Sequence, residues 1–379
     1  MWVALAGIVS CRDAPRTSQA LVRDSSSVRI VEATPGLPSP DRLELSEAPF
    51  SAQLPEFGDI LDVALAPDGR VLVLDPLGPE VMVLDSTGAE RARFGGDGDG
   101  PGEFRAAGLT ELVVLGDTVA VPDVMGQRLT LFDLEGRVLD IVPVAVSDGL
   151  AVDWRSAGSD GLMLRRVSSP QRLEVLSLVE RRFETQVDLS LLSLPSEAGP
   201  LTPLPLWCRR DDGRLVVGRT DEYSLRVTDR EATTAIVRGN VGERLLSEVD
   251  ITHLGELLRT SLARRLGGEV DPERVRQLLE RTPLPKEAPR IAGLRCVGRA
   301  EVWVQRALSV AEMGVDVLRV GSTAGWGSSV WDVFDLEAGT LRQVELPAGA
   351  QVTRVTQDMV VGYTQDEYGR RTPARWIRP

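Results

Sequence analysis

Residues 63–95, VALAPDGRVLVLDPLGPEVMVLDSTGAERARFG, and residues 110–142, TELVVLGDTVAVPDVMGQRLTLFDLEGRVLDIV, are two copies of one unit. Asp75 matches Asp123, Asp85 matches Asp133 and Gly88 matches Gly136, all at a single offset. Each copy holds short apolar runs that alternate with period two, separated by turn pairs such as Asp68-Gly69, Leu77-Gly78 and Thr87-Gly88. Such a unit reads as a four-stranded meander. Meanders repeating at that length are the blades of a propeller.

Fainter copies carry the pattern almost to the C-terminus. DDGRLVV at 211–217 repeats PDGRVLV at 67–73, and VFDLEAGTL at 333–341 repeats LFDLEGRVL at 131–139. Unit boundaries near residues 57, 105, 150, 204, 291 and 350 give six blades. The final unit is one strand short, and Asp41–Leu54, DRLELSEAPFSAQL, is the segment expected to supply that strand and close the ring. The expected fold is therefore all-β, a six-bladed β-propeller over residues 41–379 with a helical hairpin inserted at 241–289.

The joint between the first two units, FGGDGDGPGEF at 94–104, is dense in glycine and carboxylate. A calcium loop built on Asp97, Asp99 and Glu103 would need a further oxygen ligand where Pro101 sits and a bidentate glutamate beyond Glu103. The glycines read instead as positive-φ positions that carry the chain between blades. This joint and the unit after it resemble the NHL-repeat family: Gly100, Pro101, Gly102, Glu103 and Phe104 match its joint, and Asp123, Arg128, Phe132 and Asp133 match its blade. The departures are Pro122, where that family prefers alanine, and Gly126, where it prefers asparagine. The resemblance covers about residues 57–142 and implies a fold, because that scaffold serves many functions. PLPKEAPRIAGLRCVGRAEVWVQ, at 283–305, is similar to a run found in uncharacterised bacterial six-bladed propellers.

Residues 241–289 break the strand pattern. Leu254, Leu257, Leu258, Ser261, Leu262 and Leu266 recur with helical spacing, and a second helix is expected from Asp271 as N-cap with Pro272 at its first position. Insertions in repeat folds map to loops on one face, so this hairpin should hang over one end of the ring.

At the N-terminus, MWVALAGIVSC is too short to span a bilayer. Ile8, Val9, Ser10 and Cys11 resemble the end of a bacterial lipoprotein signal, which implies lipidation at Cys11 and a cell-envelope location. No Lys or Arg precedes Cys11, which departs from that pattern. Residues 12–40 read as a tether. With Cys11 assigned to lipid, Cys208 and Cys296 remain as an even pair in similar strand-before-turn contexts, a candidate disulfide.

The net charge of -13 argues against nucleic acid and leaves a lipid anchor as the one expected membrane attachment. Lys286 is the only lysine among 43 basic residues, a bias that reads as compositional. His253 and Asn240 are the only histidine and asparagine, so histidine-based zinc sites and the asparagine-rich calcium site of the propeller lactonases have no counterpart here. The aspartates repeated in each blade read as turn caps. No catalytic, metal or cofactor residue is assigned. Trp326, in the glycine-rich loop GSTAGWGSS at 321–329, is the candidate ligand contact. The expectation is a monomeric, lipid-anchored scaffold binding a protein or small molecule at one face. The alternative is a metal- or carboxylate-dependent hydrolase or lyase working from the central channel.

Overall fold

In the computed structural model, residues 20–25, 28–33, 41–145, 150–157, 161–167, 170–195, 199–229, 232–318, 323 and 325–379 are described. The repeated turn chemistry forms as the pattern dictates. Asp68 accepts from the amide of Arg70 at 3.0 Å and Asp85 accepts from those of Thr87 and Ala89 at 2.8 and 3.1 Å. Gly88 takes φ +94, and a Cβ there would meet Phe50 Cβ at 2.7 Å, so only glycine fits that turn.

These turns join Asp62–Leu65, Val71–Asp75, Glu80–Leu84 and Glu90–Gly95 into blade 1. Its second strand is buried throughout, because adjoining blades cover both faces. Blade 2 runs from Val113–Leu115 to Val138–Pro143, blade 3 from Leu150–Ser156 to Arg182–Asp188, and blade 4 from Pro205–Arg209 to Thr233–Arg238. Blade 5 runs from Ile291–Val297 to Thr340–Glu345. Blade 6 comprises Ala350–Val355, Met359–Gln365 and Arg371–Ile377 with Ser46–Glu47 as its outermost strand. Six sheets stand in a ring, each packing apolar side chains mainly on its neighbours.

The ring closes between blades 6 and 1. Ser46–Glu47 pairs antiparallel with the last strand at Ile377 and Trp376, and Thr353 Oγ1 donates to the Val63 carbonyl at 2.5 Å. Asp41–Leu54 is a strap across three blades, because Asp41–Arg42 first lies parallel on the outer strand of blade 5 and Phe50 and Leu54 then pack on blade 1. The expected tether at 12–40 is corrected within its described part. Leu21–Ser25 and Val28–Glu32 form a hairpin whose second strand pairs parallel with Thr233–Arg238, giving blade 4 six strands. The reason is that Val31 buries its side chain fully in the core of blade 4 while the strand pairs with Thr233–Arg238. Cys11 lies outside the described residues.

Cys208 and Cys296 are bonded, with Cα atoms 5.6 Å apart and a sequence separation of 88. The bridge joins the innermost strands of blades 4 and 5.

The insertion holds helix α1, Glu248–Leu266, and helix α2, Pro272–Glu280. Ser247 and Asp250 form a capping box at α1, and Gly267 ends it with φ +71. Asp271 caps α2 with Pro272 in its first turn. Leu254 is buried, Leu257, Leu258 and Leu262 are half-buried, and Leu266 is exposed. The apolar stripe thus docks through its N-terminal half.

Candidate functional site in the central channel

The docked insertion decides the fate of Trp326. Leu254 packs with Leu204, Ala292, Val310, Met313 and Trp326 in one cluster, and Trp326 is only 1 % exposed. The expected surface contact is therefore a core residue, because Val310, Met313 and Val317 pack against Leu254 of α1 and the indole joins the same cluster. His253 Nε2 pairs with the Met313 carbonyl at 3.1 Å, so the one imidazole fastens α1 to the same segment.

The sequence-matched aspartates are turn caps. Asp75 accepts from the amides of Gly58 and Leu77 at 2.5 and 2.8 Å, and Asp123 accepts from those of Arg105 and Gly126 at 3.1 and 2.7 Å. In the glycine joint, the guanidinium of Arg128 donates to the carbonyls of Gly98, Asp99 and Glu103 at 2.8 to 3.2 Å. Two of the carboxylates of the calcium reading are also engaged, Asp99 with Arg105 at 2.6 Å and Glu103 with the Gly100 amide at 2.7 Å.

Polar chemistry gathers elsewhere, where the innermost strands begin. Leu61, Glu111, Asp153, Leu204, Gly293 and Gln351 are among the residues that line a cavity of about 750 Å³ in the middle of the ring. Three of those strands carry register shifts beside it, at Val152/Trp154, Ile291/Gly293 and Val352/Arg354. A bulge re-aims side chains, which is how strands that are otherwise apolar present charge to the channel. Asp153 sits at the first of them with φ 57, a left-handed conformation uncommon outside glycine.

The charges are mostly paired, two pairs across blades and one within blade 3. Arg155 meets Glu111 at 2.9 Å, Arg165 meets Asp153 at 2.7 Å, and Arg354 meets Asp62 at 2.9 Å. Glu111 also accepts from the Trp154 amide, and Asp62 from that of Leu112 at 2.8 Å. Arg295 is different. Its Nε, Nη1 and Nη2 donate to the carbonyls of Thr353, Leu294 and Val352 at 2.9, 2.8 and 3.0 Å. Among the described residues no carboxylate lies within ion-pair distance of it.

Electrostatics follows the geometry. Burial pushes the Glu111 carboxyl above its ordinary range, against the pull of Arg155. Burial also acts on Asp153, but the charges of Arg165 and Arg155 outweigh it and hold that carboxyl low. Although Asp153 lies deep in the ring, 40 % of its side-chain surface faces the open channel. For Arg295, burial and then repulsion from Arg155 and Arg354 bring the pKa down to about 9. Among the described residues no three His, Cys, Asp or Glu side chains converge as a metal site.

The sequence reading missed this cluster, having set the arginine excess aside as compositional. The available signal was a charge inside an apolar strand: Asp153 and Arg155 in LAVDWRS, Arg295 in IAGLRCV and Arg354 in AQVTRV.

No family model matches the sequence, and no curated protein matches it either. Among solved structures, the chain is similar to a Bacteroides fragilis protein named for its inferred export, with 11 % identity and a TM-score of 0.53. That match covers 92 % of this chain and 99 % of the other. A Bacteroides thetaiotaomicron protein of unknown function matches at 9 % identity and TM-score 0.48, over 89 % of this chain and 72 % of that one. The virginiamycin B lyase of Staphylococcus aureus matches at 10 % identity and TM-score 0.44, over 89 % and 100 %. At such identity the first likeness is one of fold alone, and the last two carry no argument. The chain is a six-bladed β-propeller.

Proposed function

We propose that this is an extracytoplasmic, lipid-anchored binding propeller that takes a small ligand in the channel, at the end beside the helical insertion. The observation that carries the reading is the channel cavity itself. At about 750 Å³ it falls within the range of small-molecule sites, and side chains from blades 2, 3, 5 and 6 converge on an apolar wall that includes Leu204, Leu206 and Trp207. The anchor rests on the lipoprotein-like ending at Cys11. The Cys208–Cys296 bridge suits an oxidising compartment outside the cytoplasm.

One observation supports the enzyme alternative. Glu111 and Asp153 line the same cavity with their carboxyls displaced in opposite directions, the division that an acid and a base require. Each is tied to an arginine, which favours binding over proton transfer.

The test uses Cys11→Ser protein, which this reading places in the soluble fraction while the unaltered chain pellets with membranes. It is screened by thermal shift against a panel of neutral and charged metabolite-sized molecules, beside a Gln351→Trp variant that fills the channel. Stabilisation by a panel member, abolished by Gln351→Trp, is the expected result. Membrane pelleting of Cys11→Ser would remove the anchor, and equal stabilisation of both proteins would remove the channel.

A further inference from the structure

We infer that Arg295 is the receptor for an oxyanion, a carboxylate or phosphate carried by a small organic molecule that enters the channel. The inference rests on the channel reading above and specifies its ligand. A guanidinium has five N–H donors, and three of those of Arg295 are taken by backbone carbonyls. Those acceptors are neutral. They fix the plane of the group without cancelling its charge, and they leave a pair of donors for a ligand.

The surroundings sharpen this. Arg155, Arg165 and Arg354 each have a carboxylate partner, in Glu111, Asp153 and Asp62. Arg295 has no such direct partner among the described residues, and repulsion from Arg155 and Arg354 outweighs the more distant attraction of Asp62 and Glu111. Arg295 is half-buried with no carboxylate in direct contact among the described residues, so its charge is only partly offset, and an anion of the right shape completes the compensation. Planar carboxylate and tetrahedral phosphate both accept the two parallel bonds that an arginine fork offers. The apolar wall at Leu206 and Trp207 suits an organic body behind the charged group, which favours the carboxylate. The net charge of -13 repels small anions from the protein as a whole, so anion binding must come from a local site.

The experiment is calorimetric titration with benzoate and, separately, with inorganic phosphate, at constant ionic strength and neutral pH. Unaltered protein should bind at least one, Arg295→Gln should weaken that binding at least about tenfold, and the exposed control Arg182→Gln should leave it within about twofold. Benzoate alone would identify a carboxylate ligand, and phosphate alone a phosphorylated one. Should Arg295→Gln fail to fold, Arg295→Lys keeps the charge but loses the fork, and a loss of affinity is again expected. Absence of binding by the unaltered protein, or affinity untouched by either substitution, overturns the assignment. If a neutral panel molecule still binds and is blocked by Gln351→Trp, the channel reading survives while the oxyanion falls.

Discussion

A guanidinium in an apolar strand has to be held by something, and at Arg295 the holders are carbonyls of its own strand and of Val352 and Thr353 on blade 6. Neutral acceptors repay only part of the desolvation of a cation, so the fold carries Arg295 at a loss while the channel holds no anion. Arg295→Met should therefore stabilise the protein by about 1–4 kcal/mol in denaturant unfolding at neutral pH. The sign follows from the proton. Its pKa in the fold, about 9, lies below the ordinary arginine value, so the penalty is present below pH 9 and is relieved as pH rises beyond it. The gain should shrink in the same direction, and a destabilised variant would mean that the carbonyl bonds outweigh desolvation. The contrast with the capping aspartates explains what a sequence can disclose. Asp85 bonds to amides two and four residues away, so its role is written in local spacing. The partners of Arg295 at Thr353 and Val352 are 58 and 57 residues away, and no spacing rule connects them.

Elements divide along the same line. Both helices of the insertion were legible, because the leucine spacing, Asp271 and Pro272 are local signals. Where the helices dock was not legible, since it depends on Leu204, Ala292, Val310, Met313 and Trp326 arriving from two blades. The hairpin at 21–32 was missed because polar composition hid a short strand whose value appears only when blade 4 is beside it. Docking changes what removal of the insertion should do. Replacing residues 241–289 with a short Gly-Ser turn should leave six folded sheets, since each blade leans mainly on its neighbours, at the cost of the apolar contacts that Leu254 makes. It should also uncover Trp326. The expected outcome is an unchanged strand signature in circular dichroism with a red shift in tryptophan emission. Unshifted emission would mean that Trp326 is covered by something other than α1.

At the scale of the whole molecule, the blade count and the order of the units followed from the repeat, which encodes neighbour packing in its own sequence. Closure required more than repetition. It depends on a strap over blades 5, 6 and 1, a hairpin on blade 4, and a disulfide between blades 4 and 5. A ring so fastened keeps its channel open without filling it, and the inner strands bring charges from five blades to one place. That convergence is the basis for reading the channel as the binding site. The most direct measurement is a crystal structure after soaking in selenate, a tetrahedral oxyanion whose selenium is located by anomalous scattering. The account predicts an anomalous peak inside the channel at hydrogen-bond distance from the Arg295 guanidinium. An empty channel, with selenate found only on exposed arginines such as Arg105 and Arg182, would contradict it.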